Sequence, residues 1–432
     1  MQSSLSGRSS FRAAFSYPNF RQYSISRFLT TCSSEMQSVA VGWQIYELTH
    51  QPLDLGLVGL AQFLPGICLF LVAGHTIDRV PRLRVLKACF VGFAICSALL
   101  LALTLGGLRS AYPLYAVLLL NGVVRAFSAP AGQAFVPLLV ATEDFPNAVA
   151  WSASIFQTAT IAGPMIGGLL YGFTGNPIPV YATAAVAYFT AFLSITRIHL
   201  PPSARPRAAA TAGAVLEGVR YIWSNKFILG AISLDFFAVL LGGAVALLPV
   251  YAREILKIGA VGLGILRSAP GVGAVTMSLV LAHFPLRRRA GLIMLWCVFG
   301  FGLTTVIFGL SHNFWLSLFM LFLTGATDTV SVIVRSTMTQ LETPDEMRGR
   351  VSAVNMVFIG ASNEVGQFES GITAQWFGTI PAVVIGGIGT MVVVALWSWM
   401  FPALRKLDAL GGPLLEPVVS EATTAHGDAD HE

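Results

Sequence analysis

Six charged side chains fall inside the long apolar stretches of this 432-residue chain: Glu35, Arg125, Asp235, Arg267, Asp328 and Glu364. At the centre of a bilayer each would cost about 2.5 to 3.5 kcal/mol even on a lenient insertion scale, so such groups persist where they carry protons, meet a charged ligand or pair with one another. A carboxylate whose proton affinity changes with its surroundings can shuttle a proton, and Glu35 and Asp328 lead the candidates for that role. Arg125 and Arg267 offer positive counter-charge to an anionic ligand, whereas Glu35, Asp235 and Asp328 would attract a cationic one.

Spacing places several of these groups on polar stripes. Asn121, Arg125, Ser128 and Gly132 follow an i, i+4, i+7, i+11 pattern, and Thr324, Asp328, Ser331 and Arg335 repeat it. Thr31, Glu35, Ser38 and Gly42 make a third stripe, so three helices each present one wetted face. Arg125 and Asp328 are expected to face each other, either as a permanent pair that fixes helix register or with Arg125 free for an anionic substrate when Asp328 holds a proton. Asp235 reads either as a solvated carboxylate at a cavity mouth or as a proton carrier. Asn363 and Gln367 flank Glu364 and can satisfy it by hydrogen bonds.

Enzyme chemistry has no comparable signal. The chain carries no phosphate-binding loop, His-Glu-x-x-His or dinucleotide fingerprint. Its seven histidines and five cysteines lack ligand or disulfide spacing, so neither a metal nor a cofactor is expected.

The elements that must hold these charges follow from composition. Hydrophobic residues make up 55% of the chain and charged residues 11%, against about a quarter charged in a soluble domain. Twelve spans of ~20 residues need roughly 240 residues. Apolar stretches at residues 27–48, 54–77, 85–107, 112–134, 147–172 and 177–198, then 227–251, 260–283, 290–310, 313–336, 351–376 and 380–402, supply them. The expected fold class is therefore an all-α membrane protein of twelve transmembrane helices in two six-helix halves, 27–198 and 227–402. An N-terminal segment (1–26), a linker with an amphipathic helix (199–226) and a disordered tail (403–432) complete it.

Arg and Lys concentrate in alternate loops, which puts both termini in the cytoplasm. Arg79, Arg82, Arg84 and Lys87, Arg197 to Lys226, Arg287 to Arg289, Arg335, Arg348 and Arg350 are counted inside, against Arg109, Arg253 and Lys257 outside. The net charge of +5 is too small and scattered for nucleic-acid binding. In the linker Val215, Leu216, Val219, Ile222 and Trp223 recur at helical spacing, with Glu217 and Arg220 toward water.

The halves repeat. Leu55 to Gly66 aligns with Ala260 to Gly271 at an offset of 205, which also matches Tyr46 with Tyr251 and Arg82 with Arg287. Asn121, Gly122 and Ser128 match Thr324, Gly325 and Ser331, and Ser152-Ala153 matches Ser352-Ala353. Paired halves around a midplane site are the architecture of a secondary transporter.

The segment Gly74-His-Thr-Ile-Asp78-Arg79-Val-Pro-Arg82 resembles the inner-loop signature of the major facilitator superfamily, with Pro81 in place of a glycine and Leu83 in place of a second basic residue. Gly163, Pro164, Gly167 and Gly168 are similar to that superfamily's exporter-associated helix-5 motif, without its upstream glycine. Asn19-Phe20-Arg21, the stretch Gly42 to Thr49 and the stretch Thr343 to Val351 resemble the branch of enterobactin-type siderophore exporters and macrolide efflux pumps. The resemblance implies a pseudo-symmetric fold with a cavity lined by helices 1, 4, 7 and 10. It also implies an inner-gate latch at Asp78, Arg79 and Arg82, and a proton-coupled antiporter in the bacterial inner membrane. A siderophore-type, partly apolar substrate is favoured; multidrug or macrolide efflux is the alternative, followed by an uptake symporter and a non-transporting sensor. One chain holds a complete pathway, so a monomer suffices, with substrate, protons and lipid as partners.

Overall fold

The computed structural model describes residues 13–199, 212–284, 286 and 289–406. Arg8, Arg12, Arg205, Arg207, Arg287 and Arg288, the start of the linker and the tail from 407 lie outside the described residues, as do the side chains of Leu71, Asp78, 212–215, Asp345 and Lys406.

Among the described residues the regular structure is helical. The first half holds α1 (Pro18–Thr49), α2 (Pro52–Cys68), α3 (Phe70–Arg79), α4 (Arg82–Leu105), α5 (Tyr112–Phe135), α6 (Phe145–Thr174) and α7 (Ile178–Thr196). A surface helix α8 (Ala212–Ser224) leads into α9 (Lys226–Gly242), a 3-10 turn (Ala244–Leu247), the single turn α10 (Leu248–Val250) and a π turn (Tyr251–Ile255). Then come α11 (Gly259–His283), α12 (Ala290–Leu310), α13 (Phe314–Glu342), α14 (Asp345–Phe377), α15 (Thr379–Met400) and the short α16 (Pro402–Lys406).

Nine of these elements are long and apolar enough to cross a membrane by length and composition, among the described residues. The remaining three crossings of the twelve-helix fold are α1, α2 with α3, and α14, whose polar or interrupted sequences dilute the apolar signal. Helix ends have local causes. Pro18 opens α1 at a position where its missing N–H costs nothing, upstream of the expected start at 27. His50, with φ 52°, closes α1 in the left-handed conformation while its N–H bonds to the Tyr46 carbonyl. Asn225 and Asn313 cap α9 and α13, each side chain accepting two backbone N–H groups. The second crossing breaks at Leu69, between α2 and α3, although the Leu69 N–H still bonds to the Pro65 carbonyl at 2.9 Å.

Packing makes the sequence repeat visible. In the first half α1 packs on α6 and α7, α4 on α5 and α7, and α2 on α5; in the second, α9 packs on α14 and α15, α12 on α13 and α15, and α11 on α13. Every one of the five pairings recurs at the equivalent crossing. The halves meet along two related seams, α6 with α11 and α2 with α14. Glycines let these backbones approach, as small residues do where lipid supplies no hydrophobic drive between helices. A Cβ on Gly56 would stand 3.1 Å from Gly371 Cα, and one on Gly168 would stand 2.8 Å from Gly264 Cα.

Among the described residues, polar bonds join the halves at mid-bundle and at the end away from the chain termini. Gln157 Nε2 donates to the Gly271 carbonyl (3.1 Å) and Ser268 Oγ to that of Ile161 (2.8 Å) near the middle. At the far end the π turn brings Arg253 to Glu47 (3.6 Å) and Glu254 to the Tyr46 hydroxyl, while Tyr171 also donates to Glu47 (2.8 Å). Arg253 lies over the Trp43 ring at 5.8 Å.

The surface helix docks on the second half. Ile222 is buried against Val351 and Val354, Tyr221 donates to the Glu342 carbonyl (3.0 Å), and Glu217 pairs with Arg350. Leu216, Arg220 and Trp223 remain exposed.

Candidate functional site

The expected Arg125 to Asp328 pair does not form; each joins a different group. Arg125, in the middle of α5, donates Nη1 to the Gln62 amide oxygen of α2 at 2.8 Å and stands 3.5 Å from Glu364 of α14. Glu364 also accepts from Gln367 (3.2 Å), a neighbour one helical turn on, as the sequence suggested. Across the bundle Arg267 of α11 donates Nη2 to Ser38 Oγ of α1 at 2.6 Å and lies 3.9 Å from Glu35. Each ion pair thus joins one half of the protein to the other. The guanidinium of Arg267 and the carboxylate of Glu35 also lie within electrostatic reach of Glu364, so the four charges form one cluster of net charge zero.

The cluster is loosely held. Charge-assisted N–H to carboxylate bonds close to about 2.7 to 2.9 Å, and both ion pairs are longer than that. The Arg125 side chain is 46% exposed although it sits in mid-helix, and it keeps donors to spare from its fork of five. Arg267 and Glu35 are 20% and 29% exposed. Two partly exposed arginines, one from each half, therefore hold long glutamate contacts that an incoming anion could replace.

Asp328 belongs to a second, separate group. Arg335, two turns along α13, pairs with Asp235 of α9; Arg335 is 3% exposed and Asp235 8%. The inner-loop count of basic residues therefore included one that is buried inside the helix bundle. Asp235 is likewise not a solvated carboxylate at a mouth but half of a buried pair. Asp328, Asp235 and Ser331 line a small recess closed by Ala238, Val239, Val298 and Phe301.

The helix-5 glycines support the first cluster directly. A Cβ on Gly163 would lie 2.6 Å from Glu35 Cβ and 2.8 Å from the Cys32 carbonyl, and one on Gly167 2.8 Å from the Met36 carbonyl. Gly168 meets α11 one turn from Arg267. Pro164 is buried between them. The motif therefore sets the distance between α1 and α11, the two helices that carry Glu35 and Arg267. Gly168→Val is expected to destabilise the protein by about 1 to 3 kcal/mol, the usual cost of overpacking, read as a lowered midpoint of thermal unfolding in detergent. Gly74→Ala, in the loop motif, should stay within about 0.5 kcal/mol of the parent, because a Cβ there meets nothing within 4 Å. A Gly168→Val protein as stable as the parent would show that the α6–α11 contact is not close.

Of the loop motif, Arg82 donates Nη1 to the Ala134 carbonyl at the end of α5 (2.9 Å), tying the loop to its own half. Arg79 is exposed, Gly74 borders open space, and the Asp78 side chain lies outside the described residues. Reading the sequence missed Gln62 and the far-end group of Glu47, Tyr171 and Arg253, and it put Arg335 on the stripe of Asp328 without its pairing to Asp235. Arg335 was legible, since it completes the stripe of Asp328 inside an apolar helix.

The family described as transmembrane secretion effector matches residues 9–423. The enterobactin exporter EntS of Shigella boydii serotype 4 (strain Sb227) is 29% identical over 401 residues, covering 90% of this chain and 93% of that protein. EntS of Escherichia coli O81 (strain ED1a) gives the same identity and coverage. Among solved structures, a bacterial homologue of the human lysosomal transporter Spinster, inward-facing and unoccupied, superposes with a TM-score of 0.73 at 12% identity, over 92% of this chain and 99% of that one. The nucleoside transporter NupG superposes with a TM-score of 0.68 at 15% identity, over 89% of this chain and 99% of that one. At such identities these two support the fold alone. A twelve-helix bundle of two repeated halves, with charges gathered where the halves meet, is a multi-pass membrane transporter and not an enzyme, and the chain belongs to the transmembrane secretion effector family of the major facilitator superfamily.

Proposed function

We propose that the protein exports a small, partly apolar anion of the siderophore type across the bacterial cytoplasmic membrane by alternating access, driven by proton antiport, with both termini in the cytoplasm. The observation that carries this reading is the pair of partly exposed arginines, Arg125 and Arg267, one from each half, whose contacts to glutamate are long, 3.5 and 3.9 Å. An anion that takes both would bridge the halves, and the glutamates it displaces would be freed to accept protons. Ligand contacts that span the two halves can bias their relative orientation, which is what a ligand must do to drive a conformational cycle.

The polar bonds that join the halves at the far end support a state closed on the side away from the termini. On this reading the Glu47, Arg253 and Tyr171 group and the Tyr46–Glu254 bond close the outer gate and must part for release. The loop residues Gly74, Asp78, Arg79 and Arg82 would latch the inner side in the opposite state. The similarity to enterobactin exporters favours a catecholate over other anions.

Uptake of a labelled catecholate siderophore into everted membrane vesicles, with an imposed proton gradient, tests the reading. Gradient-dependent accumulation that requires the protein is expected. Vesicles that drive a control pump but accumulate no siderophore would refute it and turn attention to cationic drugs or macrolides, for which Glu35 and Glu364 would supply the attraction.

A further inference from the structure

We propose that Arg27 and Phe156 form an entry site for an aromatic anion at the end of the bundle that carries the chain termini, met by the substrate before it reaches Arg125 and Arg267. The proposal rests on the reading of the chain as an exporter of such anions and names where the cargo is first recognised.

Arg27 differs from the other arginines that pack between helices by its lack of a counter-charge. Arg125, Arg253, Arg267 and Arg335 each stand within ion-pair distance of a carboxylate. Arg27 forms no ion pair among the described residues, and the composition of its neighbours explains why. Helices α5, α6 and α7 contain no Asp or Glu. The first carboxylate along α1 beyond Arg27 is Glu35, eight residues or about 12 Å on, and it lies beside Arg267. A full positive charge is therefore left for an incoming anion.

An arginine that only marked the cytoplasmic side would run its stem out to the lipid headgroups. Arg27 instead turns between its neighbours. Its guanidinium carbon lies 5.7 Å from the ring centre of Phe156 on α6, and Nη1 donates to the Tyr23 hydroxyl at 3.4 Å. Tyr23 is 2% exposed and is fixed in turn by donating to the Gly132 carbonyl of α5 at 3.0 Å. A guanidinium can stack on a ring and still present its N–H edge, so Arg27 is held in place with most of its five donors unspent. Its Nε has no acceptor among the described residues.

Position ties the pair to the charges at mid-bundle. Thr31, Glu35 and Ser38 continue from Arg27 along one face of α1, at i+4, i+8 and i+11. Gly132, where a Cβ would stand 3.8 Å from Arg27 Nη1, ends the α5 stripe of Asn121, Arg125 and Ser128, about 10 Å along the helix from Arg125. The two stripes thus converge on Arg27. Phe156 is 44% exposed, so ring area remains beyond what Arg27 covers. An anion carried on an aromatic ring can place its oxygens on Arg27 and its ring against Phe156, whereas phosphate or an aliphatic carboxylate uses the first contact alone.

Ligand-observed NMR titration of the full chain in detergent tests the site with dihydroxybenzoate, with cyclohexanecarboxylate, which has the same charge and no aromatic ring, and with inorganic phosphate. Dihydroxybenzoate should bind most tightly. Arg27→Gln should raise its Kd about tenfold, the effect of one lost charge-assisted contact, and Arg27→Lys should recover part of that loss. Phe156→Leu should raise the Kd for dihydroxybenzoate about threefold more than that for cyclohexanecarboxylate, a selectivity that a merely structural role would not produce. The factor for Arg27→Gln should recur in the Arg125→Gln chain, because the two arginines act at separate places. Binding that ignores Arg27 and falls only with Arg125, or no binding to the parent, overturns the entry site. Phosphate bound as tightly as the aryl anion also overturns it and marks a lipid headgroup contact instead. Siderophore uptake into everted vesicles is decided separately from each of these outcomes, and an affinity that depends on Arg27 stands even where the vesicles accumulate nothing.

Discussion

Replacing Arg335 with glutamine is expected to lower the stability of the protein by roughly 3 to 5 kcal/mol, the cost of removing one partner from a buried ion pair. The residue is 3% exposed and its partner Asp235 8%, so no water can replace the lost guanidinium. Glutamine keeps much of the volume and can donate one hydrogen bond, but it leaves Asp235 and Asp328 as two negative charges in one apolar recess. Asp235→Asn in the same chain should recover most of the loss, because a neutral amide pair carries no uncompensated charge. Thermal unfolding of the parent, both single variants and the double variant closes the cycle, and the coupling between the two sites should be strongly favourable. A double variant no more stable than Arg335→Gln would show that the pair is not the reason for the arginine.

Arg125→Gln and Glu364→Gln should change transport in opposite directions if the substrate is an anion. Loss of Arg125 removes a charge-assisted contact, worth ~2 kcal/mol or more where a charged contact is desolvated in a complex, and should raise the apparent KM for a catecholate by about 30-fold. Loss of the Glu364 charge removes the group that competes for Arg125, so the apparent KM should fall. Arg125→Gln should cost less stability than Arg335→Gln, since the Arg125 side chain is 46% exposed and its contact with Glu364 is 3.5 Å long. A cationic substrate reverses both signs, because Glu364 then becomes the attracting group and Arg125 the repelling one. Initial rates of vesicle uptake across a range of substrate concentrations distinguish the cases. The same direction of change in both variants would mean that the pair acts only in holding the halves together.

These two predictions concern the same four-residue stripe logic seen from opposite sides. The spacing of Asn121, Arg125 and Ser128, and of Thr324, Asp328 and Ser331, was readable because helical periodicity puts i, i+4 and i+7 on one face whatever the helix later touches. Periodicity says nothing about which face of which neighbour comes opposite. The repeat made Arg125 and Asp328 equivalent, and equivalence suggested that they meet; the structure instead gives Arg125 to Glu364 and leaves Asp328 beside Asp235. The reason is that α5 of the first half reaches the second half through α14, while Asp328 turns toward α9 and α12 of its own half.

The sequence by itself determined the membrane class, the twelve-helix architecture and its internal repeat, because apolar run length, charge exclusion and periodicity are local properties that the bilayer selects strongly. It also singled out the intramembrane charges and the glycines of the sixth helix, α6, since their residue types are costly or conformationally special wherever they fall. Only the tertiary structure decided how those charges are partnered. It alone placed Arg335 inside the bundle, joined Glu35 to Arg267 and Arg125 to Glu364 across the two halves, and drew Glu47, Tyr171 and Arg253 together through a π turn that no hydropathy pattern signals. Ion pairing depends on distances of a few ångströms between helices far apart in the chain, and those distances are set by glycine contacts and helix breaks acting together, not by the composition of any one segment.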